Sequence, residues 1–371
     1  MAQTHAEGCE SPMKRKRAAA LAVVAALAGA VLGAVYVLGD DNASSAAGTY
    51  YLSPSGNDAN SCTAAAPCRT LERGYEAASL GDIVELAAGR YGAQTIPASV
   101  SKGQPDIDRP DITFRPSAGA NAQFSEVRLL APHIRLERVE VNGMLTARYR
   151  PEQPSFEGSG DVHFHRVRVV DGGRILFSAV KNFSVTDSLI ANNWRDGIDI
   201  YGSASGAGEA GHSPQNGLIE GNEIRDLRLI DNDHIDGIQF TTGVNVVIRN
   251  NKIGPRIHHQ GLLAKTDKGP VTGITIEGNE FFDVVQPGFS LMFSIHNGRR
   301  CHDIEIVGNT FRRPPTPRSD SAEQCTGVMT GNTFSSMSSF SCSQWLESFT
   351  LTDNTFLSGE PCESRPAAAG K

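Results

Sequence analysis

The second half of the chain repeats one phrase. "GLIEGNEI", "VVIRNNKI", "ITIEGNEF", "IEIVGNTF", "GVMTGNTF" and "FTLTDNTF" each alternate apolar and polar residues and then reach an asparagine. The asparagines are Asn222, Asn251, Asn279, Asn309, Asn332 and Asn354, at successive spacings of 29, 28, 30, 23 and 22 residues. A phrase held in register at a period in the twenties is the mark of a solenoid. The alternation has period two on both sides of the asparagine, so the repeated units are strands rather than helices. The asparagine falls at a corner between two short strands, where the left-handed backbone region is needed and asparagine tolerates it. Stacked corner asparagines can also bond to one another along the axis, as side-chain ladders do in cross-β stacks. These six residues therefore read as structural. Weaker copies lie upstream in "IRLERVEV", "VHFHRVRV" and "FSVTDSLI". Coils of this length with several strands predict an all-β fold, a parallel β-helix with rungs about 4.8 Å apart. Ile219, Ile248, Ile276 and Ile306 are expected to form one inward apolar column.

The stretch Thr49 to Gly92, "TYYLSPSGNDANSCTAAAPCRTLERGYEAASLGDIVELAAGRYG", adds a family likeness. With the repeats it resembles the right-handed parallel β-helix proteins of the pectin-lyase-like superfamily. The resemblance spans Thr49 to about Phe356. It implies that "YLSPSGND" leads in, that a short helix near Thr70 to Ser79 caps the open end, and that "GDIVELAAGRY" begins the first coil. A cap is physically required, because a bare first rung exposes apolar core and an unpaired strand edge. The likeness is specific for fold and not for activity, since the superfamily hosts lyases, hydrolases, epimerases, esterases and binders.

Ahead of this domain, "KRKR" (Lys14 to Arg17) precedes an uninterrupted small and apolar run over residues 18–39. That run is about long enough to span a bilayer. Basic residues before it place residues 1–17 in the cytoplasm and everything after it outside. The expected organisation is a cytoplasmic tail (1–17), a signal anchor (18–39), a linker (40–48), the cap and first coil (49–92), the β-helix (93–362) and a disordered tail (363–371). A signal cleaved near "SSAAG" (Ser44 to Gly48) is the alternative, and it exports the same chain. Six of the seven cysteines fall on the exported side. An even number outside the cell points to disulfides. Cys62 and Cys68 close a small loop, and proximity pairs Cys301 with Cys325 and Cys342 with Cys362. Zinc is the alternative, but paired C-x-x-C spacings are missing. The formal charge of −7 argues against a nucleic-acid partner. It leaves room for an acidic polysaccharide in a locally basic groove, bound by a monomer.

Three segments share a polar–Gly–apolar outline: "RDGIDIYG", "NDHIDGIQF" and "HQGLLAKTD". Gly197, Gly237 and Gly261 follow a corner Asn, or Ser188 in its place, by 9 to 15 residues. They are equivalent strands on the next face of successive rungs. "QPGFSLMFS" is expected to follow with Gly288 in register, and "DGGRILFS" to precede. Aligned on glycine, Asp199, Gln239, Leu263 and Ser290 form one outward row. Tyr201, Thr241, Lys265 and Met292 form the next. Asp196, Asp236 and Gln260 sit at the preceding bend, with His234, His258 and His259 just upstream. The long segments Thr146–Gly160 and Gly202–Gly217 are expected to wall the groove.

This face suits a polysaccharide-active enzyme, in the first instance a lyase on a uronic-acid-containing glycan. β-Elimination needs the uronate neutralised, a base for the C5 proton and an acid for the leaving oxygen. Arg174, His234 or a Ca²⁺ held by Asp199 and Asp236 are candidates for the first role. Lys265, His258 or His259 are candidates for the base, and Tyr201 or His234 for the acid. Asp236 partners the catalytic set, while Arg174, Asp199, Gln239, His258 and His259 are candidate substrate contacts. The same set suits a C5 epimerase. A hydrolase with Asp199 and Asp236 as its carboxylates, and a non-catalytic glycan binder tethered to the membrane, stand as alternatives. Bland readings compete at each position: Asp196 and Asp236 as turn formers before glycine, Lys265 and the paired histidines as solvated surface.

Overall fold

In the computed structural model, the described residues are 47–148, 160–202, 213–230, 234–285, 288–296, 299–316, 325–336, 342–358 and 362. Each coil contributes a strand to each of up to three parallel sheets. Among the described residues these sheets have 12, 11 and 8 strands. A representative coil runs Lys181–Thr186 in the first sheet, Leu189–Ala191 in the second and Ile198–Tyr201 in the third. The next coil stacks on it in register, with Val185 beside Ile219, Ile190 beside Ile224 and Ile200 beside Phe240. Ile219, Ile248, Ile276 and Ile306 are paired in sequence along the axis, and all are fully buried. A second column stacks the rings of Phe281, Phe311, Phe334 and Phe356.

The corner asparagines form the expected ladder. The Nδ2 of Asn222, Asn251, Asn279, Asn309 and Asn332 each donates to the Oδ1 of the next asparagine at 2.9–3.0 Å. Each Oδ1 also accepts the backbone N–H of the preceding ladder residue, beginning with Ser188 on Asn222 at 2.9 Å. One expectation is corrected. The left-handed residue is not the ladder asparagine but its predecessor: Gly221, Asn250, Gly278, Gly308, Gly331 and Asp353 have φ between 55° and 67°. The chain turns one residue early so that the asparagine can point inward under the corner. Toward the N-terminus Val139 and Val167 occupy this place, and the ladder gives way to apolar packing.

The cap is the helix Leu71–Ala77, whose N-cap Thr70 accepts the Arg73 N–H. Leu71, Gly74 and Tyr75 are buried. A Cβ on Gly74 would stand 3.1 Å from Val84, so glycine lets the helix lie flat on the first coil. All three disulfides form as paired above, with Cα separations of 4.6, 4.5 and 5.7 Å. The apolar run 18–39 and the tail 363–371 lie outside the described residues. No helix among the described residues is long and apolar enough to cross a membrane.

Candidate active site

The third sheet carries the polar face. Its register sets Leu145–Arg148, Ile175–Ser178, Ile198–Tyr201, Ile238–Phe240, Leu262–Lys265 and Leu291–Ser294 side by side. Ile198, Ile238, Leu262 and Leu291 point into the core. The row facing away from it runs Thr146, Leu176, Asp199, Gln239, Leu263 and Met292. Arg148, Ser178 and Tyr201 stand in the next row, which continues through Lys265 beside Ser294.

The last strand departs from expectation by two residues. Ser290 occupies the place of Gly261, and Met292, not Ser290, stands beside Leu263. Gly288 instead abuts the His259 carbonyl. The bend before this strand is longer than the glycine spacing implied, and a fully buried serine fills the glycine site. Thr146–Arg148 and Gln215–Gly217 are strand, while 149–159 and 203–212 lie outside the described residues.

A cleft of about 270 Å³ opens on this face over Asp196, Asp199 and Gln239, walled by Arg148, Arg174 and Tyr201. Beneath it runs one polar network. Arg174 is ion-paired with Asp199. Asp199 shares a hydrogen bond with Asp196. Gln239 Nε2 donates to Asp196 at 2.8 Å and reaches Asp236 at 3.4 Å. His234 Nδ1 lies 3.0 Å from Asp236 Oδ2. Backbone donors fix the carboxylates: the Asp236 N–H on Asp196 at 2.7 Å and the Gln260 N–H on Asp236 at 2.9 Å. The His234 ring stacks on His259 at 4.1 Å between centroids, and His258 meets His259 edge-on.

Burial sets the charges. Asp196, Asp199 and Asp236 are 8%, 4% and 0% exposed. Desolvation pushes both Asp196 and Asp199 up. Arg174 opposes that at Asp199 without outweighing it. Asp196 is pushed up to about 9 by burial and by the charges of Asp199 and Asp236, so it holds its proton at neutral pH. Burial likewise lowers His259, with His234 and His258 adding to the effect.

The structure thus brings together Arg174, Asp199, Asp236, Gln239, Tyr201, His234, His258 and His259. Lys265 stands apart, half-buried, two coils along the row from Tyr201 and outside the cleft lining. At about 4.8 Å per coil that is roughly 10 Å. Asp196 and Arg148 are the site residues that sequence reasoning undervalued. Asp196 looked like a turn former, and Arg148 was assigned to an insertion. Arg148 is exposed and makes no ion pair with a described residue. Calcium does not suit the donor set. The ion takes six to eight oxygens, whereas Asp199 is engaged by Arg174 and Asp196, and Asp236 by His234, Gln239 and a backbone N–H. No group of three or more His, Cys, Asp or Glu among the described residues is arranged to hold a metal.

Residues 173–357 match the family described as "Right handed beta helix region". No curated protein sequence matches the chain. Solved structures similar to it include a rhamnogalacturonan lyase (13% identity, TM-score 0.48, covering 83% of this chain and 86% of that one). A mannuronan C-5 epimerase A-module of Azotobacter vinelandii is 14% identical, with TM-score 0.41 and coverage of 74% and 87%. The pectate lyase Pel9A is 14% identical, with TM-score 0.40 and coverage of 82% and 78%. Such identities say nothing of activity. The stacked coils, corner ladder and capping helix described above, together with the match over residues 173–357, make the chain a right-handed parallel β-helix protein.

Proposed function

We propose that the protein is a polysaccharide lyase acting on a uronate-containing glycan laid along the third sheet. One observation carries this reading. A neutral carboxyl, Asp196, lines a cleft walled by arginines, and Gln239 links it through Asp236 to a carboxylate-held histidine, His234, at the cleft's edge. Arg148 and Arg174 receive the sugar carboxylate and make the C5 proton acidic. With Nδ1–H donating to Asp236, the Nε2 lone pair of His234 is left to take that proton. Asp196 then delivers its own proton to the leaving oxygen. The phenol of Tyr201, with the Lys268 ammonium 5.9 Å from its ring centroid, forms the wall beside the leaving group. Lys265 is too far along the row to be the base.

Hydrolysis fits less well. It needs two carboxyls about 5 Å or 6.5–9.5 Å apart across the scissile bond. Of the expected pair, Asp236 is fully buried, held by His234, Gln239 and the Gln260 N–H and outside the cleft lining, while Asp196 and Asp199 are in hydrogen-bond contact, which leaves no space for a sugar between them. The disulfides and the basic-then-apolar N-terminus support a place outside the cell for the β-helix, tethered through residues 18–39.

The test is to incubate the full chain with a panel of uronate polymers and follow the ultraviolet absorbance of unsaturated uronates. Absorbance is expected to rise on one of them. Asp196→Asn and His234→Ala should each slow turnover by about 100-fold or more, with Arg148→Ala acting mainly on KM. A flat trace from folded protein on every polymer sinks the lyase reading.

A further inference from the structure

The bend before Asp196 presents an aromatic ring to solvent and holds it still. Trp194 is 43% exposed. Its ring lies against Gly172 of the preceding coil, where an added Cβ would stand 2.2 Å from a ring carbon. Gly172 has φ +123°, a conformation that suits glycine, so this seat is specified by the residue beneath the ring. The neighbouring Asn193 is buried and clamps the two bends together. Its Oδ1 accepts the N–H groups of Gly172 and Gly173 at 2.9 and 3.0 Å, and its Nδ2 donates to Val169 O at 3.1 Å. Its own carbonyl accepts Arg228 N–H at 2.7 Å. An exposed indole is ordinarily free to swing. This one has one face seated and its backbone held on both sides.

Its position is the second observation. Two residues on, Asp196 floors the catalytic cleft. On the other side Asp171, next to the seat, lines a separate open pocket of about 600 Å³ at the corner between the second and third sheets. Arg90, Gln123 and Asn142 of earlier coils line the same pocket and offer hydrogen-bonding groups. A stretch of polar pocket, a fixed aromatic plate and the cleft thus follow one another around the corner.

We infer that Trp194 is a stacking subsite for one sugar ring of the glycan, and that the corner pocket hydrogen-bonds the hydroxyls of the residue beyond it. This rests on reading the cleft as a glycan site. A rigid aromatic ring contributes apolar contact area at small entropic cost, and the apolar face of a pyranose is its complement. The subsite works by contact rather than by charge. Its contribution therefore resists salt, whereas that of Arg148 and Arg174 is screened.

The chain has two tryptophans, and the other, Trp345, is fully buried, so the red-shifted, acrylamide-quenchable part of the emission reports on Trp194. The full chain is titrated with oligomers of galacturonic, mannuronic and glucuronic acids and with xylo- and cello-oligosaccharides. At least one should blue-shift the exposed emission and protect it from acrylamide. On the substrate that is turned over, Trp194→Ala should raise KM about tenfold for long oligomers. It should leave kcat on the shortest cleavable one unchanged, and Trp194→Phe should recover part of the loss. The KM difference should persist at high salt. If Trp194→Ala matches wild type on every length, the inference is overturned while the catalytic reading stands. If an oligomer protects Trp194 but none is cleaved, the catalytic reading fails and the subsite stands. No shift with any oligomer overturns the subsite.

Discussion

A single proton on Asp196 organises the site, and its energetics can be read from stability. The carboxyl is raised from its ordinary range, near 4, to about 9 in the folded chain. The unfolded chain gives up this proton first, so the stabilisation is complete below about pH 4 and is lost progressively as pH rises to about 9. Asparagine is uncharged like the protonated acid: its Oδ1 still accepts the Asp236 N–H and its amide keeps a donor for Asp199, while the Gln239 amide loses its acceptor, an offset that does not vary with pH. The melting temperature of wild type should therefore fall relative to Asp196→Asn across that window, and the two curves should run parallel above it. Asp111, pushed up to about 7 by burial and by Asp161, titrates equally in both proteins and cancels. Parallel curves throughout would show that Asp196 is ionised in the fold. The same residue marks a limit of sequence reading. "RDGID" shows two acids around a glycine but not that burial forces them to share one proton. Nor does "NNWRDG" show that Gly172, more than twenty residues earlier, seats the tryptophan.

At the scale of the coil, what repeats was legible and what varies was not. Each ladder asparagine must satisfy the same buried groups in every turn, so the phrase recurs and the register of the first sheet follows from it. The bends leading into the third sheet carry no such constraint and differ in length. That is why the last strand slipped by two residues against the glycine alignment, and why Arg148 went unrecognised as strand. The ladder also ranks mutations. Asn251 donates to Ile219 O and Asn279 and accepts from Asn222 twice, with neighbours on both sides. Alanine there strands buried groups above and below, at a cost of about 2–4 kcal/mol. Among the described residues Asn354 is bonded to Asn332 and Met329 alone, and it is slightly exposed. Asn354→Ala should cost less than half as much. Denaturant unfolding of the two variants measures the difference, and equal losses would mean that the ladder is not a chain of local bonds.

Across the whole β-helix, stability is a sum of coils and of interfaces between adjacent coils. The ends are therefore weaker than the middle, and each end is secured differently. At the N-terminal end the helix Leu71–Ala77 covers the first coil, and Cys62–Cys68 closes a separation of only 6 residues. Toward the other end the last strand of the third sheet among the described residues is Leu291–Ser294, joined by one further parallel bridge from Met292 to Thr316, while the first two sheets continue to Phe349–Thr352 and Thr355–Phe356. In these last coils Cys301–Cys325 and Cys342–Cys362 close separations of 24 and 20 residues. Loops of this length correspond to about 3 kcal/mol each, against less for the short one. The longer cross-links thus lie in the C-terminal coils. Reduction should release the C-terminal coils before any others. In hydrogen exchange, strands Gly327–Thr330 and Phe349–Thr352 should lose protection on reduction, while Gln215–Glu220, Gly243–Arg249 and the candidate-site strands Ile198–Tyr201 and Ile238–Phe240 keep theirs. Turnover should then survive reduction at temperatures where the terminal coils have already opened. Simultaneous loss of protection along the whole helix would show instead that it unfolds as one unit, with the disulfides holding the site as well as the end.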